Sequence, residues 1–559
     1  MTELDLLTNP NAVSPQQANV DELFQKIELE FNEFVLSTWE ITAGLTRMKT
    51  WLGGFTYNDA FRPSDMNETW EIAYVRILPD VELLAEINQE KSAETHLGAA
   101  KIMKAYVLIT LVDLFGHVPY SEALLGADKL SPNKDPDASI YAEAQKILKE
   151  AVVHLEKTDQ FPIKQDLYYD NDREKWIALA NSIQLKILVN TRLVNPNARI
   201  EIDELLTNGN LIDENSEDFQ FKFNQNTFPD NRNPFYVKQY ESEDRDREFL
   251  ANYYIWLLKG DKKDEDDNVI TDPRIRFYFY RQSEVQLGPD IINLLTCTWD
   301  VPPFIPNTPP SHYAEIDPDM PYCIMDNGYF GRDHMNGSGI PPNFQIRTVY
   351  GLYPMGGKFD DNSFNHVDNN IPIGAKGEGI NPILLANYLD FMRAEVALTL
   401  GTSDNARDLL ERGIRKSIEK VIGFKEIVRT DMDRMILDPI STPVSVEEHL
   451  VPSQNKIENY IDFVLNQYDQ ATSQEERLDI IMKEYHIALW GNGIEAYNNY
   501  RRTCMPANMQ PTYEPWSGEF RRSLLYPANH VFQNENADPE ESLANRPPFW
   551  DVNEDGCTR

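Results

Sequence analysis

Apolar residues recur with helical spacing over much of the chain. Between residues 140 and 155 they fall on one face of a 3.6-residue repeat, and the opposite face is charged, which is typical of an amphipathic helix. Residues 99–115 are apolar nearly all round, and Trp176, Ala180 and Ile183 form a further stripe. We therefore expect helices that bury their apolar faces against one another as antiparallel pairs.

Several helix boundaries can also be predicted. Ser14 before a proline and Ser473 three residues before a glutamate favour helix starts, because such side chains bond the unpaired N–H groups of a first turn. A helix is predicted over residues 381–400, closed by Gly401 in a left-handed conformation, and a second one follows Ser403. The pairs resemble degenerate tetratricopeptide units, but no fixed 34-residue period supports a regular solenoid.

The pattern changes between residues 226 and 380, where prolines punctuate aromatic residues, glycines and asparagines. Long regular elements are not compatible with so many prolines, and a disordered segment would be poor in aromatic residues. We predict an ordered, loop-rich, ligand-binding region at 226–380 on a helical scaffold formed by residues 14–225 and 381–536, all within a single domain spanning 1–559.

Charge and hydropathy narrow the choice of partners and location. With 52 Lys and Arg against 90 Asp and Glu, the net charge is −38, which opposes nucleic acid and leaves a neutral ligand unaffected. The longest apolar run, residues 105–112, falls far short of the roughly 20 residues that span a bilayer. No signal peptide or lipid-attachment cysteine is expected near the start of the given chain, so it is either cytosolic or trimmed of a leader.

The four cysteines, at positions 297, 323, 504 and 557, lack the spacing of a zinc site. Cys297 and Cys323 flank one loop-rich stretch. They either form a disulfide in an exported protein or remain buried thiols, and the spacing leaves both possibilities open.

Catalytic and metal-binding signatures are missing from the sequence. HExxH, GxSxG, a P-loop and a GxGxxG in a strand-to-helix context are all absent. The acidic stretches at 264–268 and 551–556 depart from the calcium loop they resemble. We predict that the protein is not an enzyme and uses no metal or cofactor. An α-helical glycoside hydrolase is the weaker alternative, since ninety carboxylates place some pairs together by chance.

Aromatic residues supply the chemistry that a sugar binder needs. A pyranose ring packs its C–H face on Trp or Tyr, and its hydroxyls bond to amide, carboxylate and guanidinium groups. The alternative for any single ring is that it packs beneath its own loop. Tyr513, near Trp516, offers a further ring. The predicted ligand-binding residues are Trp299, Asp300, Tyr313, Tyr322, Tyr329 and Trp516.

Several motifs can be read along the chain. Residues 113–123 read DLFGHVPYSEA, residues 394–397 read AEVA, and residues 497–506 read YNNYRRTCMP. These motifs resemble those of the SusD-like family, and the last resembles a closing motif of its SusD/RagB subgroup. Family members often carry glycine where this chain has Cys504, a departure that affects a turn and not the scaffold. The motif residues are expected to shape turns and helix contacts, so they identify the fold and not the ligand.

The resemblance implies a mostly α-helical SusD-like fold with tetratricopeptide-like helix pairs. It also implies an exported lipoprotein, lipid-anchored at the cell surface of the outer membrane, that captures a glycan and delivers it to a SusC-like TonB-dependent transporter. A trimmed leader would then explain the start of the chain. The rival hypothesis is a protein-interaction scaffold whose loops bind no small ligand.

Overall fold

The computed structural model describes residues 19–50, 54–241, 249–284, 309–323, 325, 327–337, 347–367, 373–537 and 546–558. Within these ranges the chain is mostly helical, which confirms the predicted fold class. The α-helices are α1 Val20–Leu45, α2 Tyr57–Ala60, α3 Asn67–Glu71, α4 Leu78–Lys91, α5 Glu94–Phe115, α6 Asp137–Glu156, α7 Arg173–Thr191, α8 Ala198–Asn208, α9 Pro234–Tyr240, α10 Asn252–Lys259, α11 Ile275–Tyr278, α12 Ser311–Ala314, α13 Ala386–Leu400, α14 Ala406–Gly423, α15 Arg429–Met432, α16 Val446–Leu450, α17 Gln454–Gln470, α18 Gln474–Ala488, α19 Gly493–Thr503 and α20 Ala528–Gln533.

The strands in the described ranges are short and form antiparallel two-stranded ribbons. Their bounds are β1 Lys49–Thr50, β2 Phe219–Lys222, β3 Phe249–Leu250, β4 Phe279–Tyr280, β5 Val349–Tyr350, β6 Ile380–Leu384, β7 Met435–Leu437 and β8 Pro443–Ser445. β1 pairs with β3, β2 with β6, β4 with β5, and β7 with β8. Each ribbon connects two stretches of chain that lie between helices.

The N-terminal helices pack around α5. Its side chains are buried nearly all round, as its continuous apolar composition predicts, and it lies against α1, α4, α6 and α7. α5 ends at Gly116, whose positive φ of 73° is a conformation that glycine adopts without steric cost. The helix start predicted at Ser14 lies outside the described residues. The first described helix, α1, has Asn19 as its N-cap, and the Asn19 side chain accepts a hydrogen bond from the Asp21 N–H.

The predicted helix over 381–400 is wrong at its beginning. Residues Ile380–Leu384 form strand β6, and α13 starts only at Ala386. Pro382 biases the residue before it towards extended backbone, and a run of five buried apolar or amide side chains suits a buried strand as well as a helix. At the other end, Gly401 adopts the predicted left-handed conformation with φ 67°.

The helix after Gly401 also begins later than predicted. Its N-cap is Asn405, whose side chain accepts from two backbone N–H groups, and not Ser403. The start predicted at Ser473 is confirmed, because Ser473 and Glu476 form the reciprocal hydrogen bonds of a capping box. The predicted division into scaffold and loop-rich region stays a prediction, as does the single domain over 1–559.

The motif at 113–123 contributes a buried acceptor on which distant segments converge. Asp113, near the end of α5, accepts hydrogen bonds from the Trp550 indole N–H at 3.1 Å and from the Asn498 amide at 2.7 Å. The Tyr141 hydroxyl donates to the same carboxylate. These contacts join α5, α6, α19 and the C-terminal segment, which fits the prediction that motif residues define the fold.

The described cysteines are oxidised. Cys504 and Cys557 form a disulfide that fastens the C-terminal segment to the end of α19. Cys504 has a φ of 61°, a left-handed conformation that suits glycine. Where family members often carry glycine, which adopts this conformation easily, this chain carries a cysteine that forms a disulfide. Cys323 is also disulfide-bonded, and Cys297 lies outside the described residues.

Candidate functional site

Three loops of the described chain contact one another. We name them the N-terminal loop (residues 54–61), the central loop (309–337, where described) and the C-terminal loop (505–522). Gly337 of the central loop lies against Gly54 so closely that an added Cβ would be 2.2 Å from the Gly54 carbonyl oxygen. Only glycine permits this approach of the two backbones.

Backbone hydrogen bonds fasten the C-terminal loop to the central loop. The Tyr513 N–H donates to the His334 carbonyl at 2.8 Å. The His312 imidazole Nε2 lies 2.9 Å from the Thr512 carbonyl oxygen. The position of Tyr513 is therefore set from both sides by the central loop.

The N-terminal loop is joined to the same structure. The Tyr57 N–H donates to the Ser517 carbonyl at 3.1 Å, and the Tyr57 hydroxyl bonds to His334 Nε2 at 3.0 Å. His334 is fully buried, and this burial lowers its pKa well below the usual range. The ring is therefore neutral, and it serves as a structural partner of Tyr57.

Gln510 is the side chain that connects most of these segments. It is fully buried, and its carbonyl oxygen Oε1 accepts from the His334 N–H at 3.0 Å. Its amide nitrogen donates to the Pro321 carbonyl at 3.0 Å and to the Asp333 carboxylate at 3.2 Å. The Arg47 guanidinium, also buried, donates to the Gln510 backbone carbonyl at 2.9 Å.

Asp333 is a buried hydrogen-bond acceptor in the central loop. Its carboxylate also accepts from the Asn252 amide at 3.0 Å and from the Cys323 N–H at 2.7 Å. Burial raises the pKa of Asp333 to about 6, and these hydrogen bonds oppose the rise. This buried carboxylate accepts hydrogen bonds from three N–H donors and thereby stabilises the segments that carry them.

The loops so fixed present a group of aromatic rings, which we call the aromatic shelf: Phe55, Tyr322, Tyr513 and Trp516. The Tyr322 and Tyr513 rings are parallel to within 3°, and their centroids lie 6.3 Å apart. Trp516 is 61% exposed and packs against Phe55 at 5.9 Å. Tyr322, Tyr513 and Phe55 are each partly exposed. Flat faces of this kind can stack on the C–H face of a sugar ring.

The predicted site residues fall into three groups. Tyr322 and Trp516 belong to the aromatic shelf. Tyr313 is 1% exposed and packs edge-on against Tyr322 with centroids 6.3 Å apart. Tyr329 is 6% exposed and lies under the Arg281 guanidinium, 5.0 Å from the ring centroid. Both rings thus pack beneath loops, the arrangement that the sequence left as the alternative.

Trp299 and Asp300, the remaining predicted residues, lie outside the described residues. Phe55 was missed by sequence reasoning. It follows two glycines and precedes Tyr57, a pattern that signals a turn but gives no indication that Trp516 lies beside it. In the parts of the chain that the structure describes, no group of three His, Cys, Asp or Glu side chains is placed to hold a metal ion.

Comparisons with known proteins identify the family. A family described as "Starch-binding associating with outer membrane" matches residues 12–288, and one described as "Susd and RagB outer membrane lipoprotein" matches residues 375–543. The chain belongs to the SusD/RagB family of outer-membrane lipoproteins, as its motifs predict. Among the described helices, none combines the length and apolarity needed to cross a bilayer. Among curated protein sequences, none matches this chain.

Solved structures share the fold at low sequence identity. A SusD/RagB family protein from Bacteroides thetaiotaomicron is 15% identical, with a TM-score of 0.67 over 96% of this chain and 100% of that one. A chitin-binding SusD homologue from Flavobacterium johnsoniae is 17% identical, with a TM-score of 0.63 over 96% and 99%. A SusD homologue from Bacteroides fragilis is 17% identical, with a TM-score of 0.60 over 96% and 99%.

Proposed function

We propose that this protein captures a glycan at the cell surface on its aromatic shelf and delivers it to a SusC-like TonB-dependent transporter. The observation that carries the proposal is the parallel Tyr322 and Tyr513 pair, together with exposed Trp516 on the same loop as Tyr513, since buried hydrogen bonds hold these loops in place. Rings that are fixed before the ligand arrives lose little conformational entropy on binding. The entropy cost therefore offsets little of the binding energy of each stacking contact.

Charge and redox state fit the same function. A net charge of −38 repels polyanions but has no effect on an uncharged saccharide. The oxidised cysteines Cys323 and Cys504 suit an exported protein, because disulfides persist outside the reducing cytoplasm. The family description names starch binding, and one structural neighbour is described as chitin-binding. Both descriptions support a glycan as the class of ligand.

Capture requires no chemical step, and we propose that the protein is a binding protein without enzymatic activity or cofactor. Asp333 supports this view, because this carboxylate behind the aromatic shelf is buried and bound by N–H donors. A general acid or base needs access to the substrate. The transporter partnership rests on family membership, and co-purification with the barrel from an outer membrane tests it.

Titration calorimetry with soluble starch and with chitin oligosaccharides tests the binding proposal. Since each stacking contact adds about 0.5–1.5 kcal/mol, we expect a dissociation constant between about micromolar and millimolar for one of them. Tyr513→Ala and Trp516→Ala should each weaken it about 2- to 10-fold, and Tyr513→Phe should not. Ile440→Ala, an exposed change on the turn between β7 and β8, is the matched control.

Two results would contradict the proposal. One is silence of the unmodified protein towards both glycans, and the other is unchanged affinity in both Ala variants. Trp299 and Asp300 remain proposed contacts, and their Ala variants belong in the same series. Tyr313 and Tyr329 also remain predictions, and their burial gives them a supporting position beneath the loops.

A further inference from the structure

A second exposed ring lies outside the aromatic shelf. Phe228 is 96% exposed at the tip of the loop that follows strand β2. An isolated exposed apolar residue is common on protein surfaces, so the exposure alone indicates no ligand. The way the loop is built around Phe228 distinguishes it.

Hydrogen bonds fix this loop at several points. Thr227 and Asp230, on either side of the tip, form an antiparallel bridge. The Asn224 N–H donates to the Asn231 carbonyl, and the Asn231 N–H donates to the Asn226 carbonyl, each at 3.0 Å. The Phe228 ring is therefore held away from the protein core by an ordered turn.

Side-chain contacts anchor the same turn to the body of the protein. The Gln225 amide donates to the Glu378 carboxylate at 2.7 Å. Arg232 bonds both Asp230 carboxylate oxygens, at 2.9 and 2.8 Å, and both oxygens of Glu241 at 2.8 Å. Preorganisation of this kind lowers the entropy cost of binding a ligand.

The surroundings of Phe228 favour a sugar over a protein partner. Every residue from 224 to 231 is exposed, and apart from Phe228 and Pro229 these residues carry amide, hydroxyl or carboxylate groups. A protein interface needs an apolar centre of several side chains. A pyranose needs one flat ring for its C–H face and polar groups for its hydroxyls.

We propose that Phe228 and the amide side chains around it form an auxiliary contact for a neutral glycan, separate from the aromatic shelf. The inference rests on the proposed function and adds a second place where a long chain is held. Two weak contacts on one polymer raise the overall affinity, because the second contact forms at a high effective concentration.

Affinity electrophoresis in gels containing soluble starch or glycol chitin tests this site. Phe228→Ala should weaken retention about 2- to 10-fold on the glycan that retains the unmodified protein. Phe228→Tyr keeps the flat ring and should be retained as strongly as the unmodified protein. Phe228→Leu keeps apolar bulk without a flat face and should be retained as weakly as Phe228→Ala. Phe532→Ala, another exposed phenylalanine, is the control and should leave retention unchanged.

The results separate the two proposals. Retention of the unmodified protein with no change in Phe228→Ala overturns the auxiliary contact and leaves the shelf proposal standing. Equal retention of the Leu and Tyr variants also overturns it, because the flat face of the ring would then make no difference to glycan binding. If neither gel retains the unmodified protein, both proposals are overturned. The effect of Phe228→Ala should persist in a Trp516→Ala background if the two sites are independent.

Discussion

Arg502 and Glu395 form a bidentate ion pair that is wholly removed from solvent. Arg502 Nε lies 2.9 Å from Glu395 Oε1, and Arg502 Nη2 lies 2.7 Å from Oε2. Burial would raise the pKa of Glu395, but the guanidinium groups of Arg502 and Arg192 hold it below its usual value. Glu395 belongs to the AEVA motif and Arg502 to the YNNYRRTCMP motif. The ion pair therefore connects the two motifs and links α13 to α19.

Removing one partner of this pair should strongly destabilise the fold. Arg502→Ala leaves a charged carboxylate buried without its main partner, which costs about 3–5 kcal/mol. Arg429→Ala is the control, because Arg429 pairs with Asp433 and Glu447 at an exposed position where ion pairs contribute about 1 kcal/mol or less. Urea unfolding measures both. Equal losses in the two variants would contradict a structural role for the buried pair.

Stability should depend on the protonation of Glu28. Burial, and then the negative charge of Asp166, raise the pKa of Glu28 to about 10 from an ordinary value of 4.5. The folded protein therefore keeps a proton on Glu28 that the unfolded chain releases. The contribution to stability is complete below about pH 4.5 and is lost as pH rises towards 10.

Glu28→Gln should remove that pH dependence, because a glutamine amide replaces the protonated carboxyl beside Asp166 and its Oε1 can accept from the Leu167 N–H as Glu28 does. Relative to the unmodified protein, the variant should gain up to about 1.4 kcal/mol per pH unit between pH 6 and 8. Urea unfolding at both pH values measures the gain. Glu86→Gln, exposed on α4, should show none, and a pH-independent difference for Glu28→Gln would contradict the assignment.

The disulfide between Cys504 and Cys557 should stabilise the C-terminal segment. It closes a long loop, with a sequence separation of 53, and such cross-links contribute about 2–4 kcal/mol. The double variant Cys504→Ser with Cys557→Ser should lose this amount in thermal unfolding. Cys504→Gly with Cys557→Ser should lose up to about 1 kcal/mol less, because the positive φ at position 504 strains a serine more than the extra chain entropy of glycine costs. Identical midpoints for Ser and Gly would show that the backbone conformation carries no cost.

Gln510 should affect glycan affinity without touching the glycan. Gln510→Ala leaves the Pro321 carbonyl and the His334 N–H without partners, each at a cost of about 1–3 kcal/mol, and loosens the segment that carries Tyr513. We expect a lower melting temperature together with weaker binding of the glycan that the unmodified protein binds. Gln467→Ala, exposed on α17, should change neither. Full affinity at a temperature where Gln510→Ala is folded would contradict this positioning role.

The sequence predicted elements whose signals are local. The apolar face of 140–155 defines α6, and Gly401 marks the end of α13, because helix periodicity and caps depend on neighbouring residues. Strand β6 was missed because its partner β2 is distant in sequence, and Pro382 in an apolar run suits either structure. The aromatic shelf could be predicted only in part. Tyr313 and Tyr322 lie in the same proline-rich stretch, and which ring is exposed depends on long-range packing, such as that of Tyr322 against Tyr513, that only the folded chain creates.

The most direct test of glycan capture on the aromatic shelf is a crystal structure of the protein with a bound oligosaccharide from the glycan that shows binding in calorimetry. We predict a sugar ring stacked within about 4 Å of Tyr322, Tyr513 or Trp516, with the buried network around Gln510 unchanged. A saccharide bound elsewhere on the surface, with these three rings free of contact, would contradict it.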